Sequence, residues 1–164
     1  MLSTDNNNWC GGTGNMLAFD PDGNAYPCLR YMESSLGEDR EPIIIGNAKY
    51  GIYKTDKEKQ IYKDLKAITR RSQSTDECFN CQIASGCAWC SAWNYQQFGT
   101  PNKRSTNICW MHRAKSLAHT YFFNNKYIKE NSNKRVSVYL PREIATKIIS
   151  NEEYDSLLAL SFLK

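Results

Sequence analysis

The sequence predicts a small, irregular α+β domain, and three observations lead there. A short apolar run, Asn15–Phe19, enters the turn residues Asp20-Pro21-Asp22-Gly23 and returns through Asn24-Ala25-Tyr26-Pro27-Cys28. Two stretches, 56–71 and 107–122, repeat apolar residues at helical spacing. Between them, residues 78–107 keep neither a helical nor a strand period, yet hold four of the seven cysteines. A chain of 164 residues can bury a real core, and 41% hydrophobic with 23% charged residues is ordinary for a globular protein.

The N-terminal segment reads as a β-hairpin because Asp-Pro-Asp-Gly is strong turn chemistry, with Gly23 taking a positive φ. Pro27 cannot donate to a ladder, so its strand is an edge or ends there. Residues 33–42 form a polar loop before the apolar run Ile43-Ile44-Ile45 and Gly46. Thr55-Asp56-Lys57-Glu58 fits a capping box, and Ile61, Leu65 and Ile68 follow on one face, predicting a helix over 56–71. Ser72–Asp76 is a polar link into a cysteine-rich knot of loops and short turns. The second long helix, 107–122, carries Trp110, Ala114, Leu117, Ala118 and Tyr121 on one stripe, with His112 and His119 on the opposite face as surface residues. Seven residues of helix separate the histidines by about 10.5 Å, too far to share a metal ion.

Asn124–Asn133 is a polar boundary, dividing a domain of residues 1–125 from an appendage of residues 126–164. In the appendage Val136, Val138 and Leu140 alternate as a strand. Pro141 suits a first helical position ahead of Ile144, Ile148 and Ile149. A second capping box, Ser150–Glu153, leads into Tyr154, Leu157, Leu158 and Leu160. The appendage is thus a strand plus two short helices.

The net charge of +4 is concentrated between Lys54 and Arg71, where seven basic residues meet three acidic ones. One basic helix reads as a solvated face, so no nucleic-acid partner is expected. No stretch of about 18 apolar residues predicts a membrane span. Met1–Asn8 has neither the basic start nor the apolar core of a signal peptide, and a cytoplasmic location is expected.

Cys10, Cys28, Cys78, Cys81, Cys87, Cys90 and Cys109 are an odd set, which closed disulfides cannot consume, and a reducing compartment disfavours disulfides in any case. Cys78-x2-Cys81 and Cys87-x2-Cys90 lie five residues apart. Two intervening residues let both thiolates grip one centre while turn N–H groups point at the sulfurs. Structural zinc usually sets such pairs about 12 to 20 residues apart and takes four ligands. Seven thiolates match two iron–sulfur clusters of four and three better, and a zinc-binding structural or interaction module is the alternative.

The full spacing resembles the SPASM domains of radical S-adenosylmethionine enzymes. Cys10, twelve residues, Gly23, four residues, Cys28 matches their opening, and Cys78-x2-Cys81-x5-Cys87 with the trailing Cys109 matches the rest. The likeness covers roughly residues 9–122. One departure is plain: the family has three residues between its fifth and sixth cysteines, where this chain has only Ala88-Trp89. The resemblance implies a metal-organised domain with two auxiliary 4Fe–4S clusters, Cys10, Cys28 and Cys90 on cluster I and Cys78, Cys81, Cys87 and Cys109 on cluster II. A local reading puts Cys78, Cys81, Cys87 and Cys90 on one cluster instead; the interleaved set is expected, because it gives Cys109 a partner. The resemblance further implies an upstream radical SAM barrel of the same enzyme as partner. That barrel would bind S-adenosylmethionine, since the motif C-x3-C-x2-C is absent here and this chain alone should be inactive. Gly11, Gly12 and Gly14 allow close approach of backbone to a cluster, and Trp89, Trp93 and Trp110 flank ligands. The run of sequence, with Cys109-Trp110-Met111-His112 and Tyr139-Leu140-Pro141, is most similar to maturases of cysteine-rich ribosomal peptides, which install thioether bonds. That implies a cysteine-rich precursor peptide as substrate, with sulfatase-maturing enzymes as the rival within the family.

Overall fold

The computed structural model describes residues 10–38, 40–84, 87 and 89–162, so Met1–Asn8, read above as no signal peptide, lies outside the described residues. The chain forms two compact units. The first comprises Met1–Asn80 and Ala88–Ser105, the second Cys81–Cys87 and Thr106–Lys164. Its class is α+β, as the sequence predicts.

The first unit opens with the expected hairpin, β1 (Ala18–Phe19) and β2 (Asn24–Tyr26), antiparallel with Ala18 opposite Tyr26. The turn closes because Gly23 N–H donates to Asp20 O at 3.0 Å, with Gly23 at φ +80°. The Asp20 carboxylate locks it further, accepting from Asn24 N–H at 2.8 Å and Tyr26 Oη at 2.7 Å. β2 ends one residue before Pro27, as a strand meeting proline must, but it is central rather than an edge. A second hairpin, β3 (Gly46–Asn47) and β4 (Gly51–Ile52), extends the sheet in the order β1-β2-β3-β4. The sequence reading missed it, because two-residue strands are too short to display a period.

A 3₁₀ turn (Leu29–Tyr31) and α1 (Glu33–Leu36) follow β2. α2 (Asp56–Ala67) starts on the predicted capping box, with Glu58 N–H donating to Thr55 Oγ1 at 3.2 Å and the Glu58 carboxylate accepting from Thr55 N–H. It does not reach residue 71: Ile68 is extended at φ −69°, ψ 122°, and Thr69 caps a new helix, α3 (Arg70–Gln73). A threonine whose hydroxyl takes the Ser72 N–H wins over helix continuation. Thr75 likewise caps α4 (Asp76–Phe79).

Within the stretch expected to be loops, α5 (Ser91–Phe98) is a genuine helix. Its buried Asn94 holds the return segment, donating to Gln73 Oε1 and Pro101 O at 3.2 Å each and accepting from Ser105 N–H at 3.0 Å. The core of this unit joins Tyr26, Cys28, Tyr31, Leu65, Ile68 and Ala92.

In the second unit, α6 (Cys109–Lys129) is longer than the expected 107–122 and runs through the polar boundary at Asn124. Asn124 sits inside it fully buried, because its amide pairs with both backbone groups of Val136, at 2.9 and 2.7 Å. The buried face of α6 is Leu117, Thr120 and Asn124: of the predicted stripe Leu117 is buried, but Trp110 is 67% exposed and Tyr121 58%. Hydropathy missed the polar members of this face because each has its partner, Thr120 donating to Ser116 O at 3.1 Å. Val136–Leu140 alternates half-buried and exposed positions as predicted, yet forms no strand, since no neighbouring strand is present among the described residues. Pro141 is the N-cap of α7 (Arg142–Ala145), which is shorter than the expected helix. α8 (Asn151–Phe162) begins at the predicted second box, with Glu153 N–H donating to Ser150 Oγ at 3.1 Å. Leu117, Leu140, Ala145, Tyr154 and Leu157 form this unit's core. No helix among the described residues is long and apolar enough to cross a membrane.

Candidate metal centre

Three cysteines far apart in sequence meet in the first unit. Cys28 follows β2 in extended geometry at φ −167°, ψ 173°, as the cap of the 3₁₀ turn. Pro27 ends the strand and the turn then reverses the chain, so the thiol is left at the core edge rather than in a ladder. Cys90 is the N-cap of α5, and its Sγ accepts the Trp93 N–H at 3.4 Å, the position where a helix start leaves donors free. Cys10 reaches the same place through Ser91, the first residue of that helix: Cys10 Sγ and Ser91 Oγ are hydrogen-bonded at 3.3 Å. Gly12 completes the enclosure. A Cβ built there would stand 3.1 Å from Cys28 Sγ and 3.3 Å from Ser91 Oγ, so hydrogen alone fits comfortably.

The electrostatics tie the three thiols together. Burial pushes the Cys28 thiol above its usual range, opposed by the N–H groups of Arg30 and Tyr31, while Cys10 and Cys90 raise it further as like-charged neighbours. Those N–H groups stabilise the thiolate, the form that binds metal. Tyr31 is wholly buried beside the same three sulfurs, and burial pushes its phenol upward. Its hydroxyl makes no hydrogen bond of full geometry among the described residues. Trp89 packs on the core next to Cys90, and Trp93 carries the Arg30 guanidinium 5.6 Å over its ring. Trp110, the third predicted flanking tryptophan, is exposed.

The other four cysteines divide between the units. Cys78 lies in α4, its N–H capped by Thr75 Oγ1 at 3.2 Å. Cys81, Cys87 and Cys109 belong to the second unit. There, Ala84 N–H donates to Cys81 O at 2.9 Å and Cys87 N–H to Ala84 O at 3.3 Å. Cys109 opens α6. Ser85, Gly86 and Ala88 of the predicted knot lie outside the described residues. None of the seven cysteines forms a disulfide. Among the described residues, no group of three or more His, Cys, Asp or Glu side chains is arranged to hold a metal ion.

Cys10, Cys28 and Cys90 thus share one neighbourhood with N–H groups aimed at sulfur and a glycine wall where a Cβ would intrude. Sequence reasoning named all three cysteines and Gly12. It missed Ser91 and Tyr31, which carry no spacing signal. No family model, curated protein or solved structure gives a significant match to the chain.

Proposed function

We propose that this chain is the auxiliary iron–sulfur domain of a radical SAM enzyme that modifies a ribosomally made, cysteine-rich peptide. Cys10, Cys28 and Cys90 hold one 4Fe–4S cluster, and Cys78, Cys81, Cys87 and Cys109 hold the second. The observation that carries the reading is the association of Cys90 with Cys10 and Cys28. It supports the interleaved ligand set over the local one, in which Cys90 joins Cys78, Cys81 and Cys87. The assignment of the second cluster rests on the sequence pattern alone.

When bound, the clusters supply one-electron transfer to and from a peptide held in the enzyme. The chain's own residues shape the conditions. Arg30, Tyr31 and Trp93 aim N–H groups at the sulfurs, which favours thiolate and tunes potential. Tyr31 and Trp89 close the site against water. Gly12 leaves room beside Cys28 Sγ. Thioether formation, S-adenosylmethionine binding by an upstream barrel and a cytoplasmic setting belong to the same proposal.

Anaerobic reconstitution followed by iron, sulfide and zinc analysis tests it. The expected result is about eight irons and eight sulfides per chain, as two four-iron clusters require. Cys10→Ala, Cys28→Ala and Cys90→Ala should each abolish the same electron paramagnetic resonance signal. Zinc without sulfide would overturn the reading, and loss of one shared signal from Cys90→Ala and Cys78→Ala would overturn the ligand set.

A further inference from the structure

The second unit carries a groove of about 360 Å³ lined by Gln82, Ile83, His112, Lys115, Ser116, His119, Thr120 and Tyr139. No carboxylate lines it. Lys115 is exposed and forms no ion pair among the described residues. His112 and His119, one α6 face apart by two turns, border the same groove, with His119 braced by the Phe123 ring at 4.4 Å. One ammonium, two imidazoles and three hydroxyls, with no carboxylate among the described lining residues, make a site for negative charge.

Tyr139 belongs to a segment with unused hydrogen-bonding capacity. Burial alternates along Val136–Leu140 as in an extended chain. Asn124 occupies both backbone groups of Val136, and Thr120 reaches Ser137 O at 3.5 Å. Among the described residues nothing pairs with the N–H groups of Ser137, Val138 and Tyr139 or the carbonyls of Val138 and Tyr139. Donors and acceptors at strand spacing beside a cationic groove match the backbone and side chains of a peptide, where a nucleic acid would use the charge alone.

We propose that an extended acidic peptide adds as a strand along Ser137–Tyr139 and sets a carboxylate into the groove at His112, Lys115 and His119. The surface carries this without reference to the cysteines, so it stands or falls apart from the iron–sulfur reading.

Fluorescence anisotropy on the full chain tests it, with a labelled peptide of alternating glutamate and threonine as probe. Saturable binding is expected, weakened about tenfold by the charge reversal Lys115→Glu. Tyr139→Pro, which deletes one donor at an exposed position, should weaken it similarly. The same peptide N-methylated at alternate amides keeps its charge but loses one hydrogen-bonding edge, and should fail to bind whatever the variants do. Equal binding of a lysine–threonine peptide, full competition by oligothymidylate, or undiminished binding of the N-methylated peptide would each overturn the proposal.

Discussion

Gly12→Ala isolates the packing of the candidate centre from its ligand count, because it removes no thiol. The added methyl would lie 3.1 Å from Cys28 Sγ, whereas ordinary contact begins at 3.4 Å, so the sulfur must retreat by about 0.3 Å. Ser91 Oγ, at 3.3 Å, blocks escape in one direction, and the core around Tyr31 and Ala92 blocks another. Metal–ligand distances tolerate deviations of only about 0.2 Å. Fold stability should barely change: the smaller unfolded-state entropy of alanine contributes about 0.4–1 kcal/mol. Mild overpacking costs about as much, so the melting temperature of the metal-free chain should move by only a few degrees. Reconstituted iron should fall from about eight toward four per chain, and Gly12→Val should complete the loss. Both variants should keep the signal assigned to the second cluster. If Gly12→Val takes up as much iron as the parent, the space beside Cys28 Sγ is not where a cluster sits.

Further outcomes follow from other parts of the chain. Cys109→Ala should remove the second cluster alone, and an iron content equal to the parent's would exclude Cys109 as a ligand. Asn94→Ala strands the buried Ser105 N–H and Gln73 Oε1, and should cost about 2–4 kcal/mol in urea unfolding. Asn124→Leu leaves the Val136 N–H without its acceptor, while the Val136 carbonyl keeps the Ser161 hydroxyl, and should deprotect the amides around residues 136–139 to hydrogen exchange at a cost of about 1–3 kcal/mol. The Tyr26 hydroxyl holds the Asp20 carboxyl below its usual range, and burial pushes the Tyr26 phenol up to about 12. A depressed carboxyl contributes stability that is present above its unfolded value and lost as pH falls through the folded one. Stability should therefore drop on acidification below about pH 4 and fall less steeply in Asp20→Asn, as acid titration followed by circular dichroism would show.

What the sequence disclosed of the fold depended on local chemistry rather than on periodicity. Asp-Pro-Asp-Gly, Thr55–Glu58 and Ser150–Glu153 each specify their turn or helix start through side-chain bonds within a few residues, and each formed where expected. Periodic readings did worse. Of the predicted stripe of α6, Leu117 is buried but Trp110 and Tyr121 face outward, because Thr120 and Asn124 find buried partners, which a window of hydropathy cannot anticipate. The alternation Val136-Ser137-Val138-Tyr139-Leu140 did produce alternating burial, but a strand also needs a neighbour. Here the side chain of Asn124 fills that role on one side, supplying a donor and an acceptor in place of a ladder. Thr69 ended α2 early for the same class of reason: a local hydroxyl–backbone bond outcompeted a helical pattern that ran on past it.

The proposed cysteine assignment leans on an element of the knot that the sequence did not reveal. With only Ala88-Trp89 between Cys87 and Cys90, one residue fewer than the SPASM spacing, a loop would have to carry Cys90 away from its neighbours unaided. A helix starting at Ser91 changes that requirement. An N-cap residue has extended dihedrals while the next turns sharply into the helix, and Cys90 sits at φ −132°, ψ 115°. The sulfur then accepts a first-turn N–H, and the chain direction of α5 brings Ser91 to Cys10 and Ala92 into the core with Cys28. On the proposed assignment, the reversal that a third intervening residue would provide comes instead from the helix start. Ser91 is consequently the residue on which the shortened spacing depends, since its buried hydroxyl joins Cys10 to the helix that presents Cys90.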